Sequence, residues 1–178
     1  MKQITIERAA PGDVPRLQRI GRETFAETFA ASNTEENMRK YLEEGFSAAK
    51  LTGELENSHC EFYFALLDQQ VIGYLKLNTG SAQTEIKDNK SLEIERIYVL
   101  QAFLGKKVGQ LLYDKALQVA KDKGLEYLWL GVWEENRRAI RFYEKNGFVA
   151  FDKHIFRLGN EEQTDIMMKK MLSGNLKM

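Results

Sequence analysis

Apolar and polar positions along this chain change period several times, and each change marks an element. Ile4 and Ile6 alternate with polar neighbours, which predicts a short strand. Leu17, Ile20, Thr24, Phe25, Thr28 and Phe29 then recur at a 3.6-residue spacing, and Asp13 precedes them as a helix cap. Asn33 or Thr34 is positioned to cap a second helix carrying Met38, Tyr41 and Leu42, and Ser47 to open a third with Leu51 and Leu55. The texture changes at Glu61. Residues 61–67 and 71–77 are aromatic and apolar runs around Asp68-Gln69-Gln70, which reads as a hairpin. Residues 79–90 are polar and are expected to form an exposed loop, and residues 91–100 alternate as a strand.

The second half keeps a regular rhythm. Val108, Leu111, Leu112, Ala116, Val119 and Ala120 share one face of a helix predicted over 107–123, which Gly124 would end. Residues 126–132 read as a buried strand. Asn136 is placed to cap a helix reaching Asn146, with Gly147 beyond it. Residues 148–158 and 164–172 look like a closing strand pair, and residues 173–178 like a frayed tail. The order is one strand, three helices, three strands, then helix, strand, helix and two strands. This predicts a mixed α/β (α+β) sheet with helices on both faces, formed by one domain over residues 1–172. The strand–helix–strand unit over 91–132 should be parallel and right-handed.

Composition narrows the function. The 178 residues carry 26 Lys plus Arg against 26 Asp plus Glu, so no net charge calls for nucleic acid or an anionic membrane as partner. A single cysteine, Cys60, excludes an intramolecular disulfide. No apolar run reaches signal-peptide or membrane-span length, so the expected location is the cytoplasm. His59 and His154 stand far apart with no metal-ligand spacing, and no G-x-S-x-G nucleophile motif is present. No metal is expected.

Three segments carry a family resemblance. They are Leu92-Glu93-Ile94-Glu95-Arg96-Ile97-Tyr98-Val99, then Leu104-Gly105-Lys106-Lys107-Val108-Gly109-Gln110-Leu111-Leu112, then Trp129-Leu130-Gly131-Val132-Trp133-Glu134-Glu135-Asn136 leading into Ala139-Ile140-Arg141-Phe142-Tyr143-Glu144-Lys145-Asn146-Gly147-Phe148. Together with the element order they resemble the GNAT superfamily of N-acetyltransferases, most of all its bacterial spermidine/spermine branch. That branch also has the late Glu162-Gln163-Thr164-Asp165 run. The middle segment departs from the family's Q/R-x-x-G-x-G/A loop. Leu104 stands at its Gln or Arg, and Lys107 at its first Gly, where a Cβ limits close approach to a phosphate.

The resemblance implies a central, mostly antiparallel sheet with a splayed parallel strand pair, and acetyl-CoA as cofactor. Free amides at a helix N-terminus suit a pyrophosphate, which puts Leu104, Gly105, Lys106, Lys107, Val108, Gly109 and Gln110 at the diphosphate. The pantetheine arm would pair with backbone at Ile97, Tyr98 and Val99, and Asn136, Ala139, Phe142, Tyr143 and Lys145 would complete the cofactor site. Tyr143 would protonate the leaving thiolate, since a phenol keeps its proton at neutral pH. Glu95 matches the position of a carboxylate base in related polyamine acetyltransferases, with Glu93 in reserve. By strand alternation Glu95 and Arg96 should face opposite ways. Glu23, Glu27, Glu36 and Asp165 would hold an ammonium of the acceptor. The expected activity is direct acetyl transfer to a primary amine such as spermidine or spermine, a small-molecule partner. Two alternatives stay open: an acetyl-CoA-binding regulatory protein with weak catalysis, and an acetyltransferase for a protein N-terminus or another small amine. A homodimer is compatible with the sequence.

Overall fold

The computed structural model describes residues 3–172, so the expected tail over 173–178 lies outside the described residues. The elements are β1 (Ile4–Arg8), α1 (Val14–Phe29), α2 (Glu35–Gly45), α3 (Ala48–Glu56), β2 (Cys60–Leu67), β3 (Gln70–Thr79), β4 (Ser91–Val99), α4 (Val108–Asp122), β5 (Tyr127–Trp133), α5 (Arg137–Lys145), β6 (Val149–Leu158) and β7 (Glu161–Met171). All seven strands form one sheet in the order β1-β2-β3-β4-β5-β7-β6. Every pairing is antiparallel except β4 with β5. The mixed sheet and its single parallel pair agree with the expected fold.

The helices start where the sequence supplies acceptors. Thr34 Oγ1 accepts from Asn37 N–H at 3.1 Å, and Ser47 Oγ from Lys50 N–H at 3.1 Å. Asp13 precedes α1 but does not cap it through its side chain. Its carboxylate instead takes Ala10 N–H at 2.7 Å and the Arg16 guanidinium at 2.8 Å, tightening the turn before the helix. Asp68 and Gln69 both have positive φ, 51° and 69°, which gives the β2–β3 hairpin the turn hand that matches strand twist.

Adjacent residues of β2 show which helices lie on which face. The Arg16 guanidinium of α1 sits 4.9 Å over the Phe64 ring, while the Lys115 ammonium of α4 sits 5.1 Å over Tyr63. Neighbours on a strand point to opposite faces, so α1 and α4 cover opposite sides. On the α1 side, Phe25 stacks on Tyr41 of α2 at 4.2 Å, and Phe29 meets Trp133 of β5 at 5.4 Å. On the α4 side, Tyr113 packs edge-on against Phe142 of α5 and Phe148. Leu17, Phe64, Ile72, Leu75, Leu92, Leu112, Ala116 and Leu128 are fully enclosed between these layers.

Two sequence expectations need correction here. The segment 79–90 is not simply an exposed loop. It begins as a short helical turn over Gly80–Ala82, and Gln83 is buried: its Oε1 accepts from Trp129 Nε1–H and from Ser91 Oγ–H, each at 2.7 Å. Polar composition hid this because the buried groups it satisfies, Trp129 and Ser91, lie on other segments. The alternation of β4 also breaks. Lys76 pairs with Arg96 and Leu77 with Ile94, so Glu95 is the extra residue of a β-bulge. Glu95 and Arg96 therefore do not face opposite ways, and Arg96 Nε lies 3.7 Å from Glu95 Oε2.

Candidate active site

Strands β4 and β5 pair only at Ser91–Tyr127, Leu92–Leu128 and Glu93–Trp129. Beyond that point they separate, although β4 runs on to Val99 and β5 to Trp133. One edge of β4 stays paired with β3 as far as Gly73–Val99, so its other edge faces an opening. A cavity of about 960 Å³ fills the opening. Ile97, Tyr98, Val99, Leu104, Gly105, Lys107, Val108, Gly109, Gln110, Asn136, Ala139, Phe142, Tyr143 and Lys145 all line it. Lys106, expected beside them, is exposed and does not.

The loop end of the cavity carries open backbone amides beside cationic side chains. Lys107 has φ 66° and ψ 15° and is the residue before α4. A left-handed residue is needed here, which explains why glycine suits the position and why a lysine carries strain of about 1–2 kcal/mol. Leu111 N–H donates to Lys107 C=O at 3.1 Å, so the amides of Val108, Gly109 and Gln110 precede the helix's own bonding ladder. A Cβ at Gly109 would meet nothing within 4 Å, which leaves those amides approachable. Gly105, at φ +81°, has Arg138 Nη2 3.7 Å from its Cβ position. Arg138 adds a cation that the sequence reading missed; only the fold brings the start of α5 against this loop. Open amides, a helix dipole and flanking cations fit the diphosphate of a coenzyme A thioester, and the free β4 edge fits its amide-bearing arm.

Tyr143 projects from α5 into the same cavity, packed against Phe142 and Phe148 at 5.5 and 5.6 Å between ring centres. It is 6% exposed, and burial raises its phenol above the ordinary range. The group is therefore a donor at neutral pH. Asn136 also caps α5, accepting Ala139 N–H at 3.3 Å.

The other end of the cavity is lined by carboxylates. Glu95 Oε1 lies 2.7 Å from Lys76 Nζ and accepts Asn78 Nδ2–H at 2.8 Å. Burial opposes its charge, but Lys76 and Arg96 outweigh burial and hold the carboxyl down to about 2. Lys76 is itself enclosed between Glu95 and Glu54, the latter at 2.9 Å. Glu93 has the opposite bias. Burial raises its carboxyl even though Thr84 N–H, Thr84 Oγ1–H and Asn78 Nδ2–H donate to it at 2.8, 2.6 and 3.0 Å. Asp165 and Glu27 also line the cavity, Glu27 accepting Gln101 N–H at 2.8 Å. Glu23 and Glu36 are exposed and lie outside the lining.

Residues that the sequence reading missed complete this end. His154 lines the cavity with one ring nitrogen, Nδ1, in contact with the Glu85 carboxylate and the other, Nε2, 3.5 Å from Asp165 Oδ2. No local spacing could have signalled this. His154 and Asp165 meet because β6 and β7 pair them directly across the hairpin. Among the described residues no His/Cys/Asp/Glu group is arranged to hold a metal, and no helix is long and apolar enough to cross a membrane.

Comparisons with known proteins agree with this geometry. Residues 21–148 match the acetyltransferase (GNAT) family. An uncharacterized N-acetyltransferase of the pepI 3′ region of Lactobacillus delbrueckii subsp. lactis is 41% identical over 172 residues, covering 97% of this chain and 99% of the relative. A spermidine N(1)-acetyltransferase of Thermoplasma acidophilum is 30% identical over 153 residues, 84% of this chain and 90% of the relative. The crystal structure of the PaiA N-acetyltransferase of Thermoplasma acidophilum in complex with coenzyme A superposes with a TM-score of 0.79. It has 27% identity, and the match covers 96% of this chain and 99% of that one. The chain belongs to the acetyltransferase (GNAT) family and is an acetyl-CoA-dependent N-acetyltransferase.

Proposed function

We propose that the acceptor is a primary alkylamine carrying a second cationic group, of the polyamine type. The observation that carries this is the polarity of the cavity: Lys107 and Arg138 flank one end, while Glu85, Glu93, Glu95 and Asp165 line the other. An anionic diphosphate suits the first end and a polycation the second. The spermidine-acetylating relative from Thermoplasma supports the same class.

The reaction joins the acceptor nitrogen to the acetyl carbonyl carbon and breaks the carbon–sulfur bond, in one complex of enzyme, acetyl-CoA and amine. An alkylammonium with a pKa near 10.4 must first lose a proton, which costs about 4.6 kcal/mol at pH 7. In this reading Tyr143 donates its phenolic proton to the departing thiolate. Glu95, held as an anion by Lys76, takes a proton only reluctantly. Its charge is already matched by Lys76 and Arg96, so the attraction for the ammonium comes from Glu85 and Asp165 on the same side of the cavity. Lys107 and Arg138 hold the diphosphate beside the amides of Val108, Gly109 and Gln110, while Ile97 and Val99 align the thioester arm.

The test is release of free CoA across a panel of spermidine, spermine, a diamine and a monoamine of equal length. The proposal expects the polycations to exceed the monoamine by at least tenfold in kcat/KM. Equal rates for all four would overturn it.

A further inference from the structure

A transfer that begins from an ammonium needs a proton acceptor, and the two glutamates of β4 are poorly placed to be one. Both oxygens of Glu95 face cations or donors: Oε1 takes Lys76 and Asn78, and Oε2 faces Arg96. Both oxygens of Glu93 are taken as well, Oε1 by Thr84 N–H and Asn78, Oε2 by Thr84 Oγ1–H. His154 differs. Glu85 lies against Nδ1, although that contact does not have hydrogen-bond geometry; a ring proton on Nδ1, toward Glu85, would leave Nε2 its lone pair. The gap of 3.5 Å from Nε2 to Asp165 Oδ2 is longer than a strong hydrogen bond. Asp165 Oδ1 is buried and accepts no hydrogen bond from the described residues.

Gly131 of β5 lies beside this pair. A Cβ there would lie 3.6 Å from His154 Cε1 and 3.7 Å from Asp165 Oδ2. Gly131 is two residues past the last β4–β5 pair, so the pair borders the opening itself. Glu85 from the 79–90 segment and Asp165 from β7 are charged groups set against the ring, with Gly131 of β5 beside it.

We infer that His154 is the general base of the acetyl transfer, with Asp165 receiving the acceptor ammonium beside it and Glu85 fixing the ring. The ammonium donates one N–H to Asp165 and passes one proton to Nε2. The freed nitrogen lone pair forms the new bond to the acetyl carbon, the thiolate leaves with a proton from Tyr143, and the second proton that the acylated nitrogen sheds restores the Tyr143 phenol. The resulting imidazolium, charged between Glu85 and Asp165, returns its proton to solvent. A carboxylate–imidazole pair of this kind orients the base and stabilises its protonated form. The assignment rests on an alkylammonium acceptor.

His154→Gln tests it, with spermidine and with trifluoroethylamine, whose fluorines leave the nitrogen uncharged at neutral pH. With spermidine, kcat/KM should fall about 10²–10⁴-fold while acetyl-CoA affinity by calorimetry stays within about twofold. With trifluoroethylamine the fall should be less than tenfold, because no proton has to be removed before attack. The acid limb of the wild-type kcat/KM profile against pH should also disappear for spermidine. Asp165→Asn should raise KM for spermidine more than it lowers kcat. Equal losses on both amines, or a retained acid limb, would overturn the role of His154. A wild type that acetylates no alkylamine would remove the acceptor reading and this assignment with it, whereas spermidine turnover untouched by His154→Gln sinks His154 alone.

Discussion

Single residues in this protein are set by their immediate partners. Glu95 is the clearest case. Its native carboxyl lies near 2 against an ordinary value of 4.5, because Lys76 and Arg96 together overcome the burial that opposes its charge. A lowered native value stabilises the fold above the unfolded value. That contribution, about 3 kcal/mol, is lost as pH falls from about 4.5 through about 2. Urea midpoints of the wild type should drop over this window, and those of Glu95→Gln should drop less. The variant should also be less stable at pH 7, since the enclosed Lys76 keeps only Glu54 as anionic partner. Lys107 gives a second test at this scale. Its left-handed backbone predicts that Lys107→Gly changes stability by no more than about 1 kcal/mol, whereas Lys107→Val costs about 1–2 kcal/mol more. Urea denaturation of the three proteins checks the order. The position of Lys107 could be read from the sequence; its backbone conformation could not, because a lysine gives no local sign of positive φ.

At the scale of elements, the periodic segments were legible and the contacts between segments were not. The 3.6-residue spacing of α1 and α4, the caps at Thr34, Ser47 and Asn136, and the β2–β3 hairpin follow from local chemistry that the sequence states directly. The bulge at Glu95 breaks a period over one residue and leaves no trace in the pattern. The 79–90 segment shows the same blindness. Its residues look solvated, yet Gln83 supplies an acceptor that Trp129 Nε1–H and Ser91 Oγ–H share. Gln83→Ala should therefore cost about 1–3 kcal/mol by leaving the buried Trp129 Nε1–H without an acceptor, while Ser91 Oγ–H keeps the Asp88 C=O at 2.9 Å. It should also loosen Thr84 and Glu85, which face Glu93 and His154. Hydrogen exchange is expected to accelerate over residues 80–90 first, and Tm to fall. Unchanged exchange there would show that the segment is held by other contacts.

The whole molecule works by keeping two strands apart. Pairing of β4 with β5 stops after three residues, and the opening this leaves joins the loop before α4, with its open amides, to a carboxylate-lined wall. The strand order and the motif around Tyr143 were enough to identify the family from sequence. The residues expected at the cofactor line the opening, apart from Lys106, and were legible because they sit in contiguous runs at element ends. The carboxylates of the cavity were legible only in part: Glu27, Glu93, Glu95 and Asp165 line it as expected from sequence or resemblance, while Glu85 and His154 reach it through a neighbouring loop and strand register. Arg138 belongs with them, since its place beside Gly105 depends on how α5 packs. The central claim is that Tyr143 serves the chemistry of acetyl transfer at this opening rather than its architecture. Steady-state acetylation of spermidine by Tyr143→Phe, with acetyl-CoA affinity measured by calorimetry on the same protein, tests it most directly. The account predicts a kcat lower by about 10²–10⁴-fold with acetyl-CoA affinity unchanged; an unchanged kcat, or a loss explained wholly by weaker acetyl-CoA binding, would contradict it.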